Sequence, residues 1–166
     1  MTPISLTETL AIQFRYTFNV VNATLEGIPE DDYFFAPDPG GNCLNWVLGH
    51  IVSSRNGMLA MLGREPVIDR DLEKRYRRGT PALTDREGSL DSPTLLEAFR
   101  RSQDVIISGL ASLTPEALTE PAPFSPSNNP EETLGSLFAG LSFHESYHVG
   151  QLGILRRLTG ADGVIK

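Results

Sequence analysis

Four segments of the chain carry apolar residues at every third or fourth position, and stretches rich in proline and glycine separate them. This spacing puts the apolar side chains on one face of a helix, whereas a half-buried strand needs strict alternation, which no segment of useful length shows. Four amphipathic helices with two or three longer connections predict an all-α fold, a four-helix bundle with long crossover connections. At 166 residues, the chain has the length of one domain, and we interpret residues 1–166 as a single helical bundle.

End signals locate the first two helices. A capping box of Ser5 and Glu8 predicts the start of the first helix, and Gly27 predicts its end. The second helix is expected to begin after a cap at Asn42 and to stop at Gly63.

Similar signals locate the other two helices. Ser92–Pro93 opens the third helix, with proline at the first helical position, and Thr114 caps one further short turn. The last helix is expected to begin in a capping box at Asn129–Glu132 and to end at Gly160. Between the second and third helices, residues 64–92 mix both signs of charge without a period, which indicates mainly a solvated loop with a short helical turn.

The charge balance and cysteine content exclude several classes of protein. The chain has 14 Lys and Arg against 21 Asp and Glu, a net charge of −7, so neither nucleic acid nor an anionic membrane is an expected partner. No apolar run approaches the ~20 residues that cross a bilayer, and no secretory signal is visible before the first helix. The single cysteine, Cys43, cannot form an intrachain disulfide, which favours a reducing, cytoplasmic location.

The chain has three histidines, and all lie mid-helix on or near an inward face: His50 on the second helix, His144 and His148 on the last. Residues four apart on a helix have Cβ atoms ~5–6 Å apart, a spacing at which two imidazoles can share a divalent metal at ~2.0–2.1 Å. With His50 they make a three-nitrogen site with positions left for water, which is typical of catalytic metal sites. The alternative is a metal-free bundle in which the three histidines make ordinary hydrogen bonds.

Cys43 is a poor candidate for a fourth ligand. It precedes His50 by seven residues, so on one helix the two are ~10 Å apart along the axis. Ligands ~2.0–2.3 Å from one metal cannot be that far apart. We expect Cys43 to be a small buried apolar residue.

The last helix also contains a literal H-E-x-x-H motif, His144 to His148. In zinc metalloproteases the glutamate of this motif is the general base. A protease is not expected here, because only 18 residues follow His148 and a helical bundle has no edge strand to hold a peptide. Glu145 is the candidate catalytic residue, as a base or as a partner of the metal site; a surface position is the alternative.

Two stretches resemble known motifs. Asn45–Ile51 is similar to the second-helix motif of the DinB-like (YfiT-like) metalloenzyme superfamily, and Phe143–Leu152 is similar to its last-helix signature. The resemblance spans essentially the whole chain and implies a four-helix bundle that binds nickel or zinc through His50, His144 and His148. It also implies a homodimer. Members often carry a basic residue where this chain has Val149.

The resemblance implies a metal-dependent enzyme for a small-molecule substrate. Relatives include S-transferases and isomerases that use a low-molecular-weight thiol, and metal-dependent hydrolases. Three neutral imidazoles leave the full charge on a metal, which lowers the pKa of a bound water or thiol. We therefore expect a thiol transferase or a hydrolase, with transfer ranked first by family analogy. The alternative is a non-catalytic, metal-stabilised interaction or stress-response protein.

Several neighbours of the histidines allow two interpretations of their role. Trp46 and Tyr147 either wall a pocket or pack in the core, and Gln151 either orients a ligand or fixes the bundle. The arginine-rich stretch 64–78 either closes over the open side of the metal or is solvated.

Overall fold

The computed structural model describes residues 4–38, 40–83 and 86–165. Four long helices form its body, joined by two short ones: α1 (Leu6–Leu25), α2 (Leu44–Met61), α3 (Arg70–Glu73), α4 (Ser92–Ala111), α5 (Pro115–Thr119) and α6 (Leu134–Leu158). Both α1 and α2 pack against α4 and α6, so each long helix has two long neighbours. In these residues there is no strand beyond an isolated bridge of Pro121 and Thr133, and the predicted all-α four-helix bundle is confirmed.

Two apolar clusters show how the long helices run. One cluster takes the second half of α1 and α6 but the first half of α2 and α4, for example Val21, Leu48, Leu95 and Leu152. The other cluster takes the opposite halves. It follows that α1 runs parallel to α6, α2 runs parallel to α4, and the two pairs are antiparallel.

This order requires a long crossover between α2 and α4, because parallel neighbours cannot be joined by a tight turn. Residues 62–83 and 86–91 return along the bundle, and the first of these ranges carries α3 and a 3-10 turn, Lys74–Tyr76. The expectation of a mainly solvated loop is wrong in part, since Ile68, Tyr76 and Leu83 are buried. Asn56 of α2 also holds this segment, because its amide donates to the Ile68 carbonyl at 3.0 Å.

The helix ends agree with the sequence in part. Ser5 and Glu8 form the predicted capping box, and Thr114 caps α5. However, Cys43 rather than Asn42 is the cap residue of α2, and no side chain caps that end. Asp91, one residue earlier than expected, caps α4.

The predicted start of the last helix at Asn129–Glu132 is wrong. Helix α6 begins at Leu134 in a different capping box, that of Thr133 with Ser136. Backbone pairing competes with the earlier start, because the Ala122 amide donates to the Glu132 carbonyl and the Leu134 amide donates to the Glu120 carbonyl, both at 2.9 Å. The residues before Thr133 are therefore held as a closed loop.

A layer of buried polar side chains lies between the two apolar clusters. Arg55 is 0% exposed and Glu145 is 2% exposed, and they form a two-pronged ion pair with both N–O distances at 2.8 Å. Thr17 donates to the same carboxylate, and Arg55 donates to Ser102 at 3.0 Å. Each long helix thus contributes one side chain to the layer, and its charges are paired.

No helix among the described residues has the length and apolar character needed to cross a membrane.

We expect Arg55→Met to lower the free energy of unfolding by about 3–5 kcal/mol, because it leaves the Glu145 carboxylate buried without its cation. The double variant Arg55→Met/Glu145→Leu should recover most of this loss, since it removes both charges. Urea denaturation followed by circular dichroism measures both. A single variant as stable as the parent would contradict the assigned role of the pair.

Candidate metal centre

The structure brings the three histidines to one point. Nε2 of His144 lies 3.2 Å from Nε2 of His50 and 3.0 Å from Nε2 of His148. One ligand atom from each of the three rings lies within 4.8 Å of the other two. The residues come from helices that pack side by side: α2 supplies His50, and successive turns of α6 supply the others.

Hydrogen bonds on the far side of two rings set which nitrogen faces this point. Nδ1 of His50 donates to the Tyr76 carbonyl at 2.6 Å, and Nδ1 of His148 donates to Oε1 of Gln151 at 2.7 Å. Since each Nδ1 carries the proton, each Nε2 keeps a lone pair directed at the centre. Gln151 is thus the hydrogen-bond partner of His148.

Burial keeps the imidazoles neutral. It lowers the pKa of His50 and of His148 below the ordinary value. For His144, burial first and then the neighbouring rings of His148 and His50 lower the pKa to about 4. The neutral ring is the form that binds metal ions, so the three side chains are in their ligand form at pH 7.

The donor set fits a divalent metal ion. Two nitrogens bound at ~2.05 Å lie about 2.9 Å apart at a right angle and about 3.3 Å apart at a tetrahedral angle. The measured separations of 3.0 and 3.2 Å fall in this interval. Three lone pairs at such distances repel each other unless a proton or a cation lies between them. In addition, Nδ1 of His144 is buried without a hydrogen-bond partner, so the hydrogen-bond contacts of this ring are made by Nε2 alone.

Two aromatic side chains wall the centre. The ring of Trp46 stacks on His50, with centroids 4.8 Å apart and planes 12° apart, and its Nε1 donates to Thr80 at 3.0 Å. Tyr147 meets the edge of His148 with centroids 5.2 Å apart. Both line the same cavity as the histidines. The exposed Tyr147 fits the pocket reading, whereas Trp46 fits both readings, since it also packs in the apolar core.

That cavity has a volume of about 810 Å³. Its walls come from α2, from the crossover at Arg78 and Gly79, from the loop before α6 at Phe124 and Ser127, and from α6 itself. The crossover thus reaches the open side of the centre. This agrees with one of the two interpretations of the arginine-rich stretch 64–78. Val149 does not share this wall and packs in the apolar core.

Glu145 is not placed as the expected base. It does not line the cavity, and both carboxylate oxygens accept from Arg55. It is also not the surface residue of the alternative reading, since it is buried. Its carboxylate belongs to the polar layer, one residue away from His144 along α6.

Cys43 lies away from the three-nitrogen cluster. It is fully buried at the start of α2, as expected, and burial raises the pKa of its thiol.

The sequence reasoning missed three contributions: those of Tyr76, Thr80 and Arg55. The first two lie in or just after the charge-rich stretch, whose composition hides its packing. Arg55 did leave a signal, because it interrupts the apolar side of α2 between Ile51 and Met58.

Comparisons with known proteins bear on the fold and the family of the chain. Among curated proteins there is no significant match. A conserved protein from Enterococcus faecalis, known from its crystal structure, is 16% identical with a TM-score of 0.72, over 94% of this chain and 98% of that one. At this identity the likeness shows the fold alone. The family model of the DinB superfamily matches residues 13–152, and the chain belongs to this superfamily.

Proposed function

We propose that the protein binds one divalent metal ion, nickel or zinc, through His50, His144 and His148, and acts as an enzyme on a small-molecule substrate. The observation that carries the proposal is the convergence of three Nε2 atoms beside a cavity large enough for a substrate. A structural metal site is normally closed by four protein ligands. Here no fourth Cys, His, Asp or Glu of the described residues joins the cluster.

The reaction we propose is transfer of a low-molecular-weight thiol or, as the second arm, hydrolysis. A metal ion in this position supplies Lewis acidity and lowers the pKa of water or a thiol. The side chains of the protein hold the imidazoles and shape the cavity. Family analogy ranks thiol transfer first. The buried Cys43 needs no oxidising compartment, which supports a cytoplasmic location for such an enzyme.

Among the described residues, the cavity lining has one carboxylate, that of Glu132, and it is already hydrogen-bonded. It accepts from Ser125 at 3.0 Å and also from Ser136. Glu145 accepts from Arg55 outside the cavity. We therefore assign Glu145 a positioning role next to His144, in place of the catalytic role expected from the H-E-x-x-H motif.

The alternative is a non-catalytic protein in which the metal only stabilises the bundle. Both readings predict metal-dependent stability, but only the enzyme predicts turnover. Metal-loaded and chelator-treated protein should be compared on ester substrates and on electrophiles supplied with a thiol. A rise in melting temperature on metal loading, with no metal-dependent turnover in either assay, would favour the alternative.

We expect about one metal ion per chain in protein purified without a histidine tag, measured by elemental analysis. Alanine at His50, His144 or His148 should each lower this content at least fivefold, because two imidazoles hold an ion much less tightly than three. The control is Cys43→Ala, which should keep the metal. A content below about 0.2 per chain that His50→Ala does not change would overturn the proposal.

The packing of Tyr76 on α2 supports the orientation of His50. Gly49 lets the Tyr76 ring lie directly against the helix, since a Cβ at this position would be 2.1 Å from Cδ1 of the ring. The phenol group is held as well, because it donates to Asn45 at 3.2 Å and accepts from the Leu90 amide at 2.7 Å. This close approach places the Tyr76 carbonyl within hydrogen-bond distance of Nδ1 of His50.

We expect Gly49→Ala to weaken metal binding by about 10–100-fold, as is usual when the hydrogen-bond partner of a ligating histidine is lost. Competition with a chromophoric chelator measures the affinity. Gly57→Ala is the matched control, because this residue lies on the same helix and its added Cβ meets nothing within 4 Å. Equal affinities of the two variants would show that the Tyr76 contact does not support the site.

We further propose that the protein is a homodimer that pairs through the outer face of α6. Phe143, Tyr147, Ile154 and Leu158 are 74%, 58%, 63% and 50% exposed and recur at helical spacing. Between Leu134 and Leu155 the only charged residue is Glu145, which is buried. The chain has a net charge of −7, so two copies repel each other where their acidic surfaces meet. An uncharged apolar face suits a second copy, because it lets two acidic molecules pair without placing like charges opposite each other.

We expect Phe143→Lys to convert the dimer to a monomer, because it places a cation in the middle of the apolar face. Size-exclusion chromatography with light scattering measures the mass. The control is Arg15→Glu, an exposed change of charge on the neighbouring helix α1. A parent protein that is monomeric at 100 μM would refute the dimer.

A further inference from the structure

In the part of the chain that the structure describes, one cation lines the cavity beside the histidines, and it has no hydrogen-bond or ion-pair partner there. Arg78 lines it, and its side chain takes part in none of the hydrogen bonds or ion pairs among the described residues. The neighbouring Arg77, by contrast, pairs with Glu73 at 3.3 Å.

The backbone beside Arg78 is fixed to α2. Thr80 accepts from Trp46 and contacts the carbonyl oxygens of Arg75 and Arg77 at 3.1 and 2.9 Å. Gly79 has a φ of +84°, a left-handed turn that favours glycine. The base of the Arg78 side chain is therefore held on the same wall as His50, and only its distal part is free to meet a ligand.

Over the described residues, the lining has one acidic side chain, Glu132, which bonds to serines and not to this arginine. The Glu132 carboxylate accepts from Ser125, Ser127 and Ser136, and these bonds hold the pKa of this carboxyl group below its usual range. Through these bonds, the Glu132 carboxylate closes the loop before α6. The lining therefore carries one negative charge, bonded by serine hydroxyls, and one positive charge, Arg78, that has no partner among the described residues.

The rest of the lining is largely apolar. Trp46 is on one side, Leu137 and Leu141 are on α6, and Phe124 extends from the loop. A ligand that fills this space presents an apolar body to these side chains, and an anionic group gains a charge-assisted hydrogen bond from the guanidinium.

We propose that the substrate is a small organic acid, with its carboxylate on Arg78 and its apolar body between Trp46 and the leucines of α6. The reaction of this substrate rests on the proposed function, whereas its binding to Arg78 does not. In this arrangement Arg78 determines specificity, since it selects acids over neutral molecules of the same shape. The polar reacting group of the substrate then faces the histidines.

The test uses a matched pair of probes, 4-phenylbutyrate and its neutral amide. Calorimetry measures the affinity of both for zinc-loaded and chelator-treated protein, and elemental analysis records the metal content. Arg78→Met removes the charge and keeps a similar length. Arg77→Met is the matched control, because it removes a neighbouring arginine that does not line the cavity.

We expect the parent protein to bind the acid about tenfold more tightly than the amide, with and without zinc. Arg78→Met should bring the ratio close to one, and Arg77→Met should leave it unchanged. A ratio that Arg78→Met does not alter, a preference for the acid that exists only with zinc, or no binding of the acid at millimolar concentration would each overturn the inference. Failure of the metal proposal shows separately, as a lack of zinc in a protein that still prefers the acid.

Discussion

The ion pair of Arg55 and Glu145 is the interaction on which the arrangement of the site depends. A two-pronged pair with both contacts at 2.8 Å tolerates little sliding of α2 against α6. Apolar packing alone constrains such sliding less, since leucine and valine can repack at several offsets. Arg55 lies five residues after His50, and Glu145 is adjacent to His144, so the register that satisfies the pair also brings the imidazoles together.

The position of this pair between two apolar clusters explains why it can be buried. Thr17 and Ser102 complete its hydrogen bonds, so neither charge is left without partners in a region from which water is excluded. The same layer explains the H-E-x-x-H motif. Its two histidines face the cavity, and its glutamate turns into the core, where it pairs with Arg55 and aligns the helices.

The second constraint is the parallel arrangement of α2 and α4. A connection between parallel neighbours must travel the length of the bundle, and this one passes along α2. It thereby delivers the Tyr76 carbonyl to His50 and Arg78 to the cavity. The same backbone segment thus orients one imidazole and supplies the charge that we assign to substrate recognition. A four-helix bundle joined by tight turns would have neither the carbonyl partner of His50 nor the arginine in the cavity.

The periodic pattern and the end signals were sufficient for the four helices and for the inward placement of the histidines. These properties are local, because the spacing of apolar residues along one helix decides which face is buried. The start of α6 was mispredicted for the opposite reason: pairing with the Glu120–Ala122 backbone, which no local signal encodes, overrides the capping box at Asn129. The buried state of Tyr76 and Leu83 was likewise hidden, since a charge-rich stretch does not reveal which few of its side chains meet the core.

The sequence by itself determined an all-α bundle and a set of three imidazoles, because helix faces and four-residue spacing follow from the geometry of a single helix. The tertiary structure decided the rest. A buried salt bridge aligns His50 with the two histidines of α6. The same salt bridge holds Glu145 in the core, outside the metal site. The tertiary structure also brought Arg78 to the cavity wall. Each of these depends on the register and direction of separate helices, and only packing between distant parts of the chain sets those.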